Sequence, residues 1–392
     1  MELIEIEKYI VGLQEDLKKF LNHSTGHSVP EAKAKNWISL GSLRKLGLII
    51  SSFTDYIRLL ILVRFNVNDI RRKRFVFTAR NFCTNDNGSL HDKIVKPLFT
   101  DNIVFINQSK EYRLNKINNQ RVYNLGGIVI FLQYTQGPEK SRLMRLFKAY
   151  SLVNDSIIRH LDGTELYMLF FYDLASLALI FSRYRSNVML IEVQHGSIIN
   201  YPPYVKPAPI KVAELFYVKN QETIDFLKTH LCLLFQTNYR LIPYPLIKRA
   251  LLPGLNLLYA STLEFNGLHP VFTEFLRHNP ERDLNLIIRL HPREKNKQSQ
   301  FEEELANLNV HYTFDNSQNW LEGNKIANLI VISPWSSTLE DAYDNGLVSI
   351  AIDPTGHNRY SHLLNSDRFF YSDNLIETIE IIKALHPHWF KV

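Results

Sequence analysis

The stretch Ser333-Pro334-Trp335-Ser336-Ser337-Thr338-Leu339-Glu340 lies between two apolar runs, residues 329–332 and 348–352. Clustered hydroxyls at the start of a helix, together with free backbone N–H groups, make a setting that suits phosphate. Earlier in the chain, residues 284–290 form another buried-strand pattern, which delivers Arg289, His291, Pro292 and Arg293 to its end. Pro292 restricts His291 to extended geometry, so the imidazole and its flanking guanidiniums can be aimed at one anion. Helix capping accounts for part of the pattern: Ser337 with Glu340 reads as a capping box, and Ser333 before Pro334 as an alternative helix start. The two roles are compatible, because a cap uses one hydroxyl and leaves another for a ligand. Glu340, in the first turn, can accept ribose hydroxyls.

A second group is Glu192-Val193-Gln194-His195-Gly196-Ser197, at the end of the apolar run 188–193. Gly196 permits close backbone approach, and an imidazole at His195 suits general-base work or phosphate contact near neutral pH. Asp173 ends another apolar run, where it either caps the next helix or faces a ligand. In open α/β sheets ligands bind beyond the carboxyl ends of the strands, where these groups are placed.

The elements that must position them alternate. Residues 75–78, 103–106, 127–132, 166–172, 188–193 and 213–218 read as short buried strands, with helices at 91–98, 140–153, 174–184 and 220–229. After Pro243, Pro245 and Pro253 the alternation restarts, with strands at 256–260, 284–290, 311–314, 329–332 and 348–352. Helices at 270–278, 299–306, 316–323, 336–345 and 374–385 separate them. Alternating strands and helices imply parallel sheets covered on both faces. The expected class is α/β: two Rossmann-like domains with parallel sheets, residues 1–245 with an amphipathic N-terminal helix and residues 246–392, facing across a cleft.

Bulk properties agree with an ordered globular chain of more than one domain: 392 residues, 45% hydrophobic and 21% charged. A formal charge of +6 favours anionic partners. Cys83 and Cys232 are far apart without metal-ligand spacing, which fits a reducing cytoplasm and two free thiols. No secretory signal is legible at the N-terminus. Asp55 and Arg58 interrupt the apolar residues 46–65, which read as a core-facing or interfacial helix rather than a membrane span. With the basic residues Arg71 to Arg74 behind it, this segment is also where peripheral contact with the inner face of a cell membrane is expected.

The set Gln194-His195-Gly196, Arg289-Leu290-His291-Pro292 and Ser336-Ser337 resembles the pattern of bacterial GT-B glycosyltransferases of capsule, lipopolysaccharide and teichoic-acid synthesis. Among these are β-Kdo transferases with Gln-His-Gly and His-Pro motifs, sialyltransferases with His-Pro and Ser-Ser motifs, and CDP-glycerol polyol-phosphate transferases. The match covers roughly the second half of the chain, and the first 160 residues carry no matching motif. The resemblance implies a C-terminal domain that holds a nucleotide-sugar donor, commonly cytidine-linked such as CMP-Kdo, and an N-terminal domain for a glycan or lipid-linked glycan acceptor. His291 with Ser336 or Ser337 would then meet the donor phosphate, Glu340 would lie near the ribose, and His195 would sit at the reaction centre.

Such a transfer needs a base for the acceptor hydroxyl and positive groups for the departing phosphate. His195 is the first choice of base, with Asp173 and Glu192 as carboxylate alternatives and Gln194 and Gly196 lining the cleft. Arg289, His291, Arg293 and the helix near Ser336 supply the positive field. No metal-ligand motif is present, so a metal-independent reaction without a cofactor is expected. The alternatives are a polyol-phosphate transferase, a sugar-nucleotide epimerase and a non-enzymatic anion-binding module. No nucleic-acid motif supports a nucleic-acid partner.

Overall fold

A strand that is apolar on both faces is stable only where helices cover both sides of its sheet. The computed structural model describes residues 3–25, 42–65, 73–78, 98, 103–108, 116–117, 120–137, 141–169, 172–194, 198, 204, 211–230, 238–242, 247–265, 267–278, 284–317, 320–364 and 366–387. The chain divides into two units, the second containing Tyr244–Val392 and the first made mainly of the residues before it.

The first unit holds helices α1 (Leu3–Thr25) and α2 (Ser42–Phe65), then strands β1 (Arg74–Thr78), β2 (Ile103–Asn107), β3 (Lys116–Ile117) and β4 (Gln120–Asn124). Helices α3 (Gly126–Thr135) and α4 (Arg142–Ile158) follow, then β5 (Thr164–Met168), α5 (Leu174–Ile180), β6 (Val188–Val193), β7 (Leu215–Val218), α6 (Gln221–His230) and β8 (Asn238–Leu241). The sheet order is β3-β4-β2-β1-β5-β6-β7-β8, parallel except for the antiparallel β3–β4 pair.

The second unit runs β9 (Leu255–Ala260), α7 (Pro270–His278), β10 (Leu284–Arg289), α8 (Gln298–Asn307), β11 (Tyr312–Phe314) and α9 (Trp320–Gly323). It continues with β12 (Leu329–Ser333), α10 (Thr338–Asp344), β13 (Val348–Ala351), α11 (Pro354–Arg359), β14 (Phe369–Tyr371) and α12 (Leu375–Leu385). All pairs in its sheet are parallel and the order is β11-β10-β9-β12-β13-β14. Successive residues feed two cores: Leu257, Tyr259, Ile288 and Ile330 pack with Phe272 and Phe301 on one face. Leu258, Ile287 and Val331 pack with Trp320 and Leu339 on the other. Each unit therefore shows the expected Rossmann-like parallel α/β layering.

Several local expectations are corrected. Residues 127–132, expected as a strand, belong to helix α3; the strand is the preceding and more polar β4. A continuous apolar run has no period to separate strand from helix, so length and packing decide. Gly127 explains the packing: a Cβ there would lie 2.6 Å from both the Leu48 carbonyl oxygen and Ser52 Oγ, so α2 can pack tightly on α3 only at a glycine. Strands β3, β4, β8 and β14 and helix α11 were not anticipated. The helix expected at 91–98 and both cysteines fall outside the described residues, apart from Leu98.

His362, in the turn after α11, has no hydrogen-bond partner on either ring nitrogen among the described residues. Burial pushes its imidazole down to about 4. The unfolded chain, with an ordinary histidine near ~6.5, takes up the proton first. The stabilisation is therefore complete above that value and is lost as pH falls toward the folded one, by up to about 1.4 kcal/mol per pH unit. Urea unfolding of wild type and His362→Leu at neutral pH and near pH 5 should show a smaller acid loss in the variant. Equal losses would remove His362 as the cause.

Candidate functional site

The order of the second sheet reverses between β9 and β12, and a doubly wound sheet leaves its ligand crevice at the carboxyl ends of the strands at that point. Two buried serines tie these ends together. Ser261, just past β9, accepts a hydrogen bond at Oγ from the His291 backbone N–H at 2.8 Å and donates to Glu294 Oε2 at 2.6 Å. Its own N–H donates to the Arg289 carbonyl at 3.0 Å. Ser333, the last residue of β12, donates from Oγ to the Ala260 carbonyl at 2.7 Å and accepts from the Ser336 N–H at 3.0 Å. The ends of β10, β9 and β12 are thus held in one register, with β9 between the two motif-bearing strands. That puts His291 and the Ser336 turn two strand spacings apart, roughly 10 Å.

The turn after β12 is fixed from several sides. Ser336 Oγ accepts from the Thr338 N–H at 3.2 Å and lies 3.0 Å from Thr338 Oγ1. Tyr360, fully buried, donates to the Ser336 carbonyl at 2.9 Å. A Cβ on Gly356 would collide with the Pro334 carbonyl oxygen, so α11 packs against the turn at a residue without a side chain. Ser337 occupies the N-cap position of α10 without a capping bond and is exposed. The expected Ser337–Glu340 capping box is therefore absent, because Ser336 has taken the capping role, and the Ser337 hydroxyl faces solvent.

The charges are arranged differently from expectation. Arg289 donates to Asp315 Oδ2 at 2.6 Å and to the Ser317 carbonyl at 3.1 Å, anchoring the end of β11. Glu340 is fully buried on α10. Pro292 opens a 3-10 turn that runs to Lys297, in which the side chains of Pro292 and Arg293 fall outside the described set. The cation beside the Ser336 turn is Arg359, whose guanidinium lies 5.1 Å from the centre of the Trp335 ring. Near it, burial pushes the Glu264 carboxyl above the usual range while the charge of Arg359 pulls the other way. Asp353, the N-cap of α11, accepts from the Thr355 N–H at 2.7 Å and stands 3.6 Å from His269 Nε2. Burial raises its carboxyl, but the bonds from His269 and Thr355 outweigh that and leave it below its ordinary value.

Sequence reasoning missed Thr262, Glu264 and Arg359. The first two were accessible by the rule applied to the other strands, since they follow the buried run that ends at Ala260. Arg359 sits on a six-residue helix with no apolar period, and only the fold brings it to Trp335.

In the first unit, Asp173 holds the N-cap position of α5, and its carbonyl accepts from the Leu177 N–H at 2.8 Å. Glu192 is fully buried and accepts from the Tyr204 hydroxyl at 2.6 Å. Burial and then the charge of Glu192 push the Tyr9 hydroxyl up to about 12. Gln194 is also fully buried, and its Oε1 accepts from the Lys219 N–H at 2.8 Å. It links the ends of β6 and β7. His195 and Gly196 lie outside the described residues.

No family model matches the chain, and no curated protein matches it. Among solved structures, the chain is similar to the apo form of the lipopolysaccharide outer core galactosyltransferase WaaB, at 10% identity and a TM-score of 0.49 over 81% of this chain and 95% of that one. It is similar to Anabaena HepE in complex with UDP and glucose, at 12% identity and 0.47 over 80% and 89%. It is also similar to UDP-GlcNAc 2-epimerase from Neisseria meningitidis bound to UDP-GlcNAc, at 12% identity and 0.46 over 81% and 92%.

Replacing Ser333 with alanine removes a buried donor and acceptor together. Ser333→Ala should cost about 1–3 kcal/mol in urea unfolding and lower the hydrogen-exchange protection of the Ser336 amide. Ser337→Ala should stay within about 0.5 kcal/mol of wild type. An unchanged midpoint for Ser333→Ala would show that the tie is not a stabilising element.

Proposed function

We propose that this protein is a nucleotide-sugar-dependent glycosyltransferase of GT-B type acting on a bacterial surface glycan. The observation that carries the reading is the convergence of strand ends at the β9–β12 reversal, where the Ser261 and Ser333 ties hold the loops bearing His291 and the Ser336-Ser337 turn, and Arg359 lies over Trp335 of that turn. Its chemistry suits a nucleotide phosphate: an exposed hydroxyl at Ser337, an imidazole at His291 and a guanidinium at Arg359 beside a flat indole.

In the proposed reaction a base takes the proton of the acceptor hydroxyl and the acceptor oxygen bonds to the anomeric carbon. The bond from that carbon to the donor phosphate oxygen breaks, and the nucleotide leaves with the bonding pair. Arg359 and His291 stabilise the charge that grows on the departing phosphate, so the step is proposed to run without a metal ion. His195 is proposed as the base, with Asp173 as the carboxylate alternative. Glu192 suits that role less well, since Tyr204 already holds its buried carboxylate. The finer proposal is a cytidine-linked donor, CMP-Kdo or a related CMP-sugar. It rests on the likeness of the Gln-His-Gly, His-Pro and Ser-Ser motifs to the β-Kdo and sialyl enzymes.

Thermal unfolding with CMP, CDP, UDP, GDP and ADP tests the reading, because a ligand of the folded state alone stabilises it by about 2.7 kcal/mol at a hundredfold excess over Kd. Cytidine nucleotides should raise the midpoint, EDTA should leave the shift intact, and His291→Ala and Arg359→Ala should each reduce it. A preference for UDP would redirect the donor. Stabilisation with turnover of a nucleotide sugar in the absence of any acceptor would favour an epimerase. The reading fails if no nucleotide shifts the transition.

A further inference from the structure

Helix α2 carries an apolar stripe that no described residue of its own unit covers. Leu46, Ile50, Phe53, Ile57, Ile61 and Phe65 are 54%, 58%, 37%, 53%, 51% and 71% exposed. Their spacing of four, three, four, four and four residues sets them in one row along the helix, about 29 Å long at 1.5 Å per residue. The row continues onto α3: Phe53 meets Phe131 edge-on at 5.7 Å, and Phe131 and Tyr134 are 43% and 81% exposed. A large continuous apolar patch of this kind on a folded domain marks a docking surface.

The exposed charges that the two helices themselves carry are of one sign. Asp55 is the sole acidic residue of α2, and α3 has none. Asp55 is buried and accepts from the Asn124 backbone N–H at 3.2 Å, so it adds no charge to the surface. Arg58 and Arg64 are exposed on α2. Arg64 lies close enough to the end of α4 that, after burial and the neighbouring Arg159, its charge helps to lower the His160 imidazole.

The segment Leu46–Phe65 has the length and composition of a membrane span, but its opposite face is engaged. Ser52 Oγ accepts from the Gly127 N–H at 3.0 Å, and Leu59 and Val63 are fully buried. Spanning would strip these contacts from α2, whereas lying flat keeps them and buries only the exposed row.

We infer that the α2–α3 face docks the protein on an anionic lipid surface, with α2 lying in the plane of the interface. The apolar row enters the acyl boundary, and Arg58, Arg64 and Arg159 meet the headgroups. A second copy of the chain fits this face less well, since self-association would bring the exposed Arg58 and Arg64 of both copies together, and α2 and α3 offer no exposed acid to offset them.

Flotation of the full chain with vesicles of phosphatidylcholine and phosphatidylglycerol in equal parts, at low salt and without nucleotide, tests the inference independently of the donor reading. Wild type should float with these vesicles and not with phosphatidylcholine alone. Ile57→Asp with Ile61→Asp, and separately Phe131→Asp, should reduce the bound fraction by at least about tenfold, while circular dichroism and melting temperature stay unchanged. Arg58→Glu with Arg64→Glu should abolish the preference for anionic vesicles. The inference is overturned if wild type fails to float or if the folded variants bind as well as wild type does. It is equally overturned if wild type is a dimer that Ile57→Asp with Ile61→Asp dissociates while vesicle binding is absent.

Discussion

Two buried hydroxyls hold the candidate site of the second unit in shape. A parallel sheet leaves the last carbonyls and the first loop amides beyond each strand without ladder partners, and a buried group of this kind must be satisfied locally. Ser261 and Ser333 do this across strands. Each uses its Oγ as donor and acceptor at once: Ser261 joins the loop after β9 to the loop after β10, and Ser333 joins the end of β12 to the end of β9 and to the turn that follows β12. The arrangement puts the loops after β9, β10 and β12 in fixed relation.

The same device recurs in the first unit with amides in place of hydroxyls. Gln194 bonds the Lys219 amide beyond the next strand, and Asn107 donates to Asn124 at 3.0 Å between the ends of β2 and β4. Asp55 reaches the same place from α2, so the helix whose outer face is apolar is pinned to the sheet by its one carboxylate. Buried polar groups of this sort are costly unless fully bonded. Their placement at strand ends, rather than mid-sheet, keeps the ladder intact while setting the loops.

Much of the second unit was legible because its strands are uniformly apolar and its helices amphipathic. The segments at 256–260, 270–278, 284–290 and 348–352 fall within a residue or so of the observed bounds. Helix α10 ends where Gly346 takes a φ of +77°, a conformation that a glycine adopts without strain. Legibility failed where local pattern and burial disagree. The Gly-Gly-Ile-Val-Ile run of α3 is as apolar as a strand, and β4, with Gln120 and Arg121, is as polar as a loop. Short edge strands such as β8 and β14 carry too few residues for a period to show.

The sequence by itself determined the class of the fold and the strand ends at which polar residues gather, because periodicity and apolar runs are local properties. It also marked His291, Ser333, Ser336 and Ser337 as residues lying beyond such ends. Only the tertiary structure decided what each does. Arg289 turns to Asp315, Ser336 caps α10 while Ser337 is left exposed, Glu192 is buried against Tyr204, and Arg359 arrives from a short helix that no pattern announces. Which partner a charge or hydroxyl finds depends on residues brought together across the sheet, and that proximity is set by strand order, which a linear pattern does not contain.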